Sequence, residues 1–502
     1  LRRNLIRRAI VVSSIGNVQQ DAQVRAVASG ALANGDTVVV NADGTVSVVS
    51  STGENVTQSV GSAQVFESAY TEAGASVFDS LNKKVVISYR DEGNSNYGTA
   101  IVGTVDDTTI TFGSPVVFST EDTAGNFPIA GAFDSSNNKV VFAYQQGSSD
   151  GKAVVGTVSG TSISFGSPVT FHSSRSFDVC AAFDTTNNKV VIGFRSNSQS
   201  EYGRAIVGTV SGTSISFGTS VVFNSAYSGN MSCCFSPDAG KVVFAYRDEG
   251  ASNYGKAIVG TVSGTSISYG SEATFLSSSC EGTTSSYDTD SNKVIVGYKK
   301  RIGSTNKVFG AVVGTISGTS ISFGSNTDTS TQMDQERFSS AFDTAANKTV
   351  FVLNDGSSPD KILAFLGTVS GTSITLSSSI AISDSAVTSS TPAVVFDSNK
   401  LRNVITYGDS SNSNYGTSNV LRNSYAGPNL TSENFIGFAK GAAADGTSAV
   451  VQTTCSVDRS QTSLTAGQKY YVQTDGALGL TPADPSVEAG TAISATEILV
   501  KG

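Results

Sequence analysis

Two short acidic motifs are the first residues of this chain whose chemistry suggests a site. Asp91-Glu92 and Asp248-Glu249 lie in the nearly identical segments "YRDEGNSNYG" and "YRDEGASNYG". Paired carboxylates can supply the acid and the base of a glycosidase. Because the pairs recur at equivalent places in two copies of a repeat, a loop-shaping role is favoured over a unique active site.

A Tyr-Gly pair recurs in four copies of the same repeat. Tyrosine rings on loops can act as platforms for sugars, but packing between repeats is favoured because four copies share the pair. The candidate binding residues are therefore these tyrosines and the acidic pairs, all predicted on one loop-bearing face: Tyr97, Tyr202, Tyr254, Tyr415, Asp91, Glu92, Asp248 and Glu249.

Catalytic constellations of other kinds are weak in this sequence. A Ser-His-Asp arrangement would have to use His172, the only histidine, which follows a strand in "VTFHSS" and is interpreted as a surface-loop residue. A sialidase-type site is disfavoured because tryptophan is absent and the arginines form no evident cluster. We therefore expect no catalytic residues, no enzyme activity and no cofactor.

Metal and disulfide chemistry are also weakly supported. One histidine and five scattered cysteines give no zinc ligand set, so no metal is expected. Asp288, Asp290 and Asn292 could ligate calcium, although a polar turn explains them equally well. Buried free thiols are the favoured state of the cysteines, with a bridge from Cys180 to Cys233 or Cys234 as the alternative.

A repeat of about fifty residues organises most of the chain. "GTVSGTSI" or a close variant occurs six times, and a second landmark, such as "AFDSSNNKVVFAY", precedes it. The aromatic residue of that landmark marks seven copies: Phe78, Phe133, Phe183, Phe235, Tyr287, Phe342 and Phe396. A period near fifty indicates a solenoid, a propeller or an array.

Each repeat is predicted to contain four strands, a to d, of which d carries proline and alternates like an edge strand. The seventh repeat has no strand d of its own, whereas residues 60–69 at the start of the chain match one. A strand that completes the last sheet would close a ring. The sequence thus predicts an all-β fold: a seven-bladed β-propeller over residues 56–424, closed by an N-terminal strand.

Glycines are expected to set the turns and the spacing of this propeller. "SGTS" is predicted to be the c–d turn, where Gly supplies a positive φ. The Gly of "VGT" is expected to let neighbouring blades approach closely. The a–b and c–d turns are nearly uniform, whereas the other connections vary, as in residues 119–128, 145–152, 195–204, 299–310 and 354–361. The varied face is therefore the candidate binding face.

The two ends of the chain carry one shared pattern. Residues 32–48 and 464–480 both read Leu-x-x-Gly, a β-prone stretch and an Asp-Gly turn. We expect small β modules at residues 1–55 and 425–502, the latter a barrel or sandwich. They form either one composite domain or two modules side by side.

Charge and hydropathy limit the partners. The net charge of −9 argues against nucleic acid, and no apolar run is long enough to insert in a membrane. The basic start, residues 1–16, has too short an apolar stretch for a signal-peptide core, which weighs against a secreted protein.

The repeat "VVGTVSGTSISFGSPVTF" (residues 154–171) and the flank "AVASGALANGDTVVVNADGTVSVVS" resemble structural and tail-fibre-like proteins of marine, cyanophage-type bacteriophages. The C-terminal end "AGTAISATEILVKG" resembles the same proteins. The resemblance implies a virion protein, assembled in the host cytoplasm, that docks on other virion proteins through its terminal modules as a homo-oligomer. It carries no set of functional residues to transfer.

Three functions therefore remain as hypotheses. The first is a non-enzymatic tail-fibre or capsid-appendage protein whose propeller face binds a host-surface protein or glycan. The second is a virion-associated glycan-degrading enzyme, and the third is a secreted bacterial lectin or adhesin. Fold alone does not decide among them.

Overall fold

Short Val- and Ile-rich stretches separated by Gly, Asn and Asp form antiparallel strands along the chain. The computed structural model describes residues 22–41, 43–52, 54–123, 129–303, 306–333, 338–356, 360–383, 392–427 and 429–501. It divides into two compact units, Leu1–Thr57 with Ser424–Gly502, and Gln58–Asn423. The basic start at residues 1–16 and parts of three predicted connections (119–128, 299–310 and 354–361) lie outside the described residues.

The strands run in chain order through both units. The N-terminal segment contains β1 (Gln23–Val27), β2 (Thr37–Val40), β3 (Val46–Val48) and β4 (Glu54–Val56). The next strands are β5 (Ser59–Val60), β6 (Gln64–Asp79), β7 (Lys84–Asp91), β8 (Tyr97–Asp106), β9 (Thr109–Phe112), β10 (Val116–Asp122), β11 (Ala130–Asp134), β12 (Lys139–Gln146), β13 (Asp150–Ser159), β14 (Ser162–Phe165), β15 (Val169–His172), β16 (Ser176–Asp184), β17 (Lys189–Ser196), β18 (Tyr202–Ser211), β19 (Ser214–Phe217) and β20 (Val221–Ser236).

The second half continues the pattern. Its strands are β21 (Lys241–Asp248), β22 (Tyr254–Ser263), β23 (Ser266–Tyr269), β24 (Ala273–Leu276), β25 (Cys280–Asp288), β26 (Lys293–Ile302), β27 (Asn306–Ser317), β28 (Ser320–Phe323), β29 (Thr327–Gln332), β30 (Ser339–Asp343), β31 (Lys348–Asn354), β32 (Ile362–Ser370), β33 (Ser373–Leu376), β34 (Ile380–Ala381), β35 (Ala393–Asp397), β36 (Arg402–Asp409), β37 (Tyr415–Arg422), β38 (Tyr425–Gly427), β39 (Phe435–Ala439), β40 (Ser448–Gln452), β41 (Val457–Asp458), β42 (Lys469–Val472), β43 (Leu478–Gly479), β44 (Val487–Ala492) and β45 (Ile498–Val500).

In the unit Gln58–Asn423 one pairing order recurs. Strand a pairs with b, b with c, and c with a strand d that is broken into two pieces, as in β11-β12-β13 with β14 and β15. The all-β propeller prediction is confirmed. We interpret each repeat of this pairing order as one blade of the propeller. Strands a to c of blades 1 to 7 are β6-β7-β8, β11-β12-β13, β16-β17-β18, β20-β21-β22, β25-β26-β27, β30-β31-β32 and β35-β36-β37.

The start of the unit completes its last sheet. Ser59 and Val60 pair with Arg422 and Leu421, and Val65 pairs with Thr417. Strand β6 then crosses into blade 1, so its first part is strand d of blade 7 and its second part is strand a of blade 1. The inner strands contact one another in a closed cycle: β6, β11, β16, β20, β25, β30, β35 and β6 again.

Glycine spaces the blades, but at a different position from the one predicted. A Cβ added to Gly260 of "VGT" would meet Ile267 of its own blade at 2.7 Å. The contact between blades is made by the Gly of "SFG": a Cβ on Gly218 would lie 1.9 Å from the carbonyl oxygen of Thr265 in the next c–d turn. The assignment to "VGT" was therefore wrong, because that glycine faces the isoleucine of its own strand d.

The same contact recurs around the unit. Each "SFG" glycine or its equivalent abuts a threonine carbonyl of the following blade: Gly61 with Thr108, Gly113 with Thr161, Gly166 with Thr213, Gly218 with Thr265, Gly270 with Thr319 and Gly324 with Thr372. Blade 6 has Ser377 at this position, and blade 7 has no c–d turn for it to meet. The Gly61 contact joins blade 7 to blade 1.

The unit Leu1–Thr57 with Ser424–Gly502 contains two five-stranded sheets. One has the order β1-β40-β39-β2-β3, so strands from both ends of the chain pair, and the other has the order β41-β45-β44-β42-β43. The Asp-Gly turns at Gly44 (φ +89°) and Gly476 (φ +88°) close equivalent hairpins in the two sheets. Both sheets contribute to one core that includes Phe438 and Val472.

Candidate functional site

One edge of the propeller unit is built from b–c and d–a connections. Backbone N–H groups tie the two kinds together: Asn197 donates to Arg175, Ser228 to Glu201 and Cys280 to Asn253. We call this edge the variable face and define it by the connections between strands b and c and between d and a. All eight predicted binding residues lie on it or at its margin.

Four of the b–c connections share one local structure. Each contains a short 3₁₀ turn followed by two residues in the left-handed region: Glu92–Asn94, Asn197–Gln199, Glu249–Ala251 and Ser410–Asn412. Tyr97, Tyr202, Tyr254 and Tyr415 come directly after these turns and are half-buried. They occupy the same place in four different blades, so the structure does not gather them into one pocket, and their role in binding stays a prediction.

The acidic pairs have structural partners. The Asp91 carboxylate accepts a hydrogen bond from the Asn94 N–H at 3.1 Å, and Asp248 accepts one from Gly250 at 2.9 Å. Burial, followed by the charge of Glu67, raises the pKa of Asp91. Asp91 and Asp248 therefore close turns, and they lie in blades 1 and 4.

Each neighbouring glutamate lies on the surface beside an arginine. Glu92 pairs with Arg90 at 2.6 Å and Glu249 pairs with Arg247 at 2.5 Å. Both glutamates are exposed, and carboxylates accept hydrogen bonds from a ligand that donates them.

Arginines and aromatic rings alternate between blades 3 and 4. The Arg195 guanidinium lies over Phe177 (4.6 Å to the ring centroid) and over Tyr227 (4.3 Å). Arg175 lies over Phe177 at 4.9 Å and Arg247 over Tyr227 at 5.5 Å. We call these five residues the arginine ladder. The expectation that the arginines form no cluster was wrong, because the members come from strands far apart in sequence.

The central arginine of the ladder has ion-pair partners within the protein. Arg195 is buried and ion-paired with Asp178 at 2.8 Å and with Glu201. Guanidinium groups over an aromatic ring contribute about 0.5–2 kcal/mol each. Since Tyr227 already has two guanidinium groups over its ring, the ladder acts as a brace between blades 3 and 4.

Tyr70 is the counterpart of Tyr227 at the junction of blades 7 and 1. Both follow Ser-Ala in a sixteen-residue strand that runs from d into a, β6 and β20. Tyr70 lies opposite Tyr415 in the sheet, as Tyr227 lies opposite Tyr202. Blade 7, however, has Gly408 where blade 3 has Arg195, and Tyr70 is 36% exposed.

Carboxylates surround Arg90 beside Tyr70. Arg90 pairs with Glu72 at 3.6 Å, Glu92 at 2.6 Å and Asp122 at 3.0 Å. Burial, then the charges of Glu72 and Glu92, raise the pKa of Tyr70. Sequence reasoning missed this residue, although the repeated "SAY" at Ser68 and Ser225 marks it.

His172 is the last residue of β15 and is half-buried rather than free in a loop. Its Nε2 lies 3.2 Å from the Ser196 hydroxyl and its Nδ1 3.2 Å from that of Ser176. Burial lowers the pKa of the imidazole. Both serines are fully buried, so this arrangement is a packed polar cluster without an accessible nucleophile.

The three residues considered as calcium ligands, Asp288, Asp290 and Asn292, lie in one turn. Asp288 accepts hydrogen bonds from the N–H groups of Asp290 (2.9 Å) and Ser291 (3.0 Å), and Asn292 has a positive φ. These residues form a capped a–b turn. Within the described ranges no three His, Cys, Asp or Glu residues are grouped to hold a metal, and all five cysteines are free.

The inner strands enclose a central cavity of about 280 Å³. Its wall mixes hydroxyl, thiol and apolar groups, among them Ser76, Cys180, Met231, Thr283 and Ser340. Hydroxyl groups of neighbouring blades bond to one another there, for example Ser232 with Thr283 at 3.0 Å and Thr284 with Ser340 at 2.9 Å. These bonds tie blades together around the cavity.

No family model matches this sequence, and no curated protein matches it. Among solved structures, the chain is similar to the BP39L lectin from Burkholderia pseudomallei (TM-score 0.53, 9% identity, covering 70% of this chain and 95% of the lectin). It is less similar to a point mutant of NanB sialidase from Streptococcus pneumoniae (TM-score 0.41, 11% identity, 72% and 70%). At these identities, the likeness to the lectin shows a shared fold only. No helix in the described part of the chain is long and apolar enough to cross a bilayer.

Proposed function

We propose that this chain is a non-enzymatic glycan-recognition protein of a bacteriophage particle, acting as a tail-fibre or capsid-appendage component. The observation that carries the recognition role is the variable face. Blades 1, 3, 4 and 7 keep one 3₁₀ turn. Blade 2 instead has a short turn after Gln146, and in blade 5 strands b and c stay paired as far as Ile302 and Asn306. Varied connections on a constant frame are typical of binding surfaces.

The chemistry of the face supports a sugar ligand. Half-buried tyrosines and exposed carboxylates that already pair with arginine offer ring faces and hydrogen-bond acceptors to hydroxyl groups. The shared fold with a lectin is in keeping with this role. Asp91 and Asp248 close turns, which supports recognition over hydrolysis.

Docking in a particle is proposed for the unit that contains both chain ends. Val27 is 49% exposed and lies on β1, the edge strand of its sheet, and Leu480 and Ile493 are also exposed. Edge strands with exposed apolar side chains are suited to pairing with another protein. Together with the resemblance to phage structural proteins, this supports attachment to other virion proteins.

One experiment separates recognition from hydrolysis. The purified chain is applied to a glycan array, and the bound glycans are then incubated with it and assayed for new reducing ends. We expect binding without release of reducing sugar. New reducing ends would favour the glycan-degrading alternative, and an array without binding would overturn the recognition role.

The location in a virion needs a separate measurement. Antibodies against the chain, applied with gold label to purified phage particles that encode it, are expected to decorate the tail or the capsid surface. Particles without label would overturn the virion assignment and leave the glycan result standing.

A further inference from the structure

Tyr70 and Tyr227 occupy equivalent positions with different surroundings. Two guanidinium groups lie over the Tyr227 ring, at 4.3 and 5.5 Å. At the Tyr70 position, Gly408 replaces the first of these arginines. The second is represented by Arg90, which three carboxylates hold. Among the described residues no arginine lies over the Tyr70 ring.

The surroundings of Tyr70 and Tyr227 differ because different residues follow the two tyrosines along the strand. Gly229 follows Tyr227 by two residues, whereas Glu72 follows Tyr70 by two. Glu72 lies opposite Arg90 in the sheet and pairs with it, while Asp122 pairs with the Nε of Arg90 from strand β10. A guanidinium with carboxylates on several sides is fixed in place, so Arg90 forms a rim beside the ring.

We propose that Tyr70, with Arg90, Glu92 and Asp122, is a subsite for one neutral sugar residue of a glycan. This deepens the proposed glycan recognition and rests on it. The pyranose ring presents its C–H face to Tyr70, which is 36% exposed. The hydroxyl groups of the sugar donate hydrogen bonds to the carboxylates of Glu92 and Asp122 and accept one from Arg90.

Charge selects the class of sugar. Among the described residues, the Arg90 guanidinium faces the carboxylates of Glu92 and Asp122 as well as that of Glu72, so these four groups together carry a net negative charge. A uronic or sialic acid would bring another negative charge to the subsite, which costs free energy. Neutral hexoses avoid that repulsion and still provide the hydroxyl donors that carboxylates need.

The test compares three variants of the full chain by isothermal titration with the neutral glycan that binds best on the array. Tyr70→Ala removes the platform, and Gly408→Arg places an arginine where blade 3 has one while keeping Tyr70. Tyr227→Ala is the matched control, because that ring serves the brace between blades 3 and 4. Thermal unfolding of each variant verifies that it is folded.

We expect Tyr70→Ala and Gly408→Arg each to weaken binding at least about tenfold, the effect of an aromatic hot spot, and Tyr227→Ala to change it less than about twofold. If the wild-type chain binds but folded Tyr70→Ala and Gly408→Arg bind equally well, the subsite is wrong and the recognition role stands. A preference for acidic over neutral glycans would overturn the ligand class. If the wild-type chain binds no glycan, both proposals fail.

Discussion

Replacing Gly218 by alanine tests the contact that sets the spacing of the blades. A Cβ at this position would lie 1.9 Å from the carbonyl oxygen of Thr265 and 3.0 Å from its carbonyl carbon. Ordinary C···O contacts are about 3.3 Å or more, so blades 3 and 4 would have to separate locally by about 1.4 Å. Backbone rather than a flexible side chain is in the way, so the strain cannot be relieved by a rotamer change.

The expected loss in the free energy of unfolding has two contributions. Overpacking of this kind costs about 1–3 kcal/mol, and a displaced Gly218 would weaken its N–H bond to the Val207 carbonyl at 3.0 Å, worth about 1 kcal/mol. We therefore expect Gly218→Ala to lower the free energy of unfolding by about 2–4 kcal/mol. Urea unfolding followed by intrinsic fluorescence measures this as a lower midpoint at an unchanged slope.

Ser377 provides the matched control. It stands at the equivalent position of blade 6, where its hydroxyl accepts a hydrogen bond from the Leu366 N–H at 3.0 Å. Since blade 7 has no c–d turn, Ser377→Gly changes no contact between blades; it removes the acceptor of the Leu366 N–H and is expected to lower the free energy of unfolding by about 1–2 kcal/mol. Equal midpoints for Gly218→Ala and the wild-type chain would refute the close contact between blades.

Three further predictions concern the seams and the thiols. Asp107 pairs with Arg402 at 2.7 Å and Arg422 at 3.2 Å across the seam of blades 7 and 1, and these hydrogen bonds lower its pKa. A depressed carboxyl pKa stabilises the fold above the unfolded value of about 4 and loses that stabilisation as pH falls. Because Asp107 is 61% exposed, Asp107→Asn should cost under about 1 kcal/mol at pH 7, and the difference from wild type in urea midpoint should shrink as the pH falls below about 4; a difference that does not shrink contradicts the assignment. Asp343 is buried and accepts hydrogen bonds from the side chains of Asn403 (2.7 Å) and Asn423 (2.8 Å) in blade 7, so Asp343→Ala should cost about 2–4 kcal/mol, and a urea midpoint like that of wild type would argue against this link. Cys455 is exposed, whereas burial raises the pKa of Cys234 and Cys280 to about 12; a thiol reagent at pH 8 should therefore modify Cys455 rapidly and the other four slowly, and rapid modification of several thiols would contradict the packing around the cavity.

Much of the fold could be predicted from the sequence because its determinants are local and repeated. Alternation in "TSISF", the Asn and Gly turns after each "FD" and the period of about fifty residues indicate strands and their order. The displaced strand d at residues 60–69 was visible as a repeat fragment out of place. Side-chain period and turn chemistry act within a few residues, so they can be recognised in one dimension.

The spacing of the blades could not be assigned correctly from the same pattern. Both "VGT" and "SFG" place a glycine in nearly every repeat, and the sequence does not say which faces the next blade. The exception at Ser377 carries the missing information, because the glycine is absent where the following c–d turn is absent. Its meaning emerges only once the order of strands around the cavity is known.

The positions of the candidate residues in the fold could be predicted from the repeat, but the contacts around them could not. The variable face and its four tyrosines follow from the repeat. The arginine ladder instead joins residues from β16, β17, β20 and β21 and from the segment before β16. Such contacts depend on tertiary packing, which no spacing along the chain reveals. Tyr70 was missed for a related reason, since Gly408 becomes its neighbour only through ring closure, whereas Arg90 lies beside it through the pairing of β6 with β7.

The account depends on the closure of the last blade by the start of the propeller unit. Ser59 pairs with Arg422 in the structure, and paired residues of antiparallel strands have Cα atoms about 4.5–5.5 Å apart, within the span of a disulfide. The measurement is mild oxidation of the double variant Ser59→Cys with Arg422→Cys, followed by peptide mass spectrometry. We predict a 59–422 disulfide in the monomeric chain; absence of that linkage while the chain remains folded would contradict the closed propeller and the face derived from it.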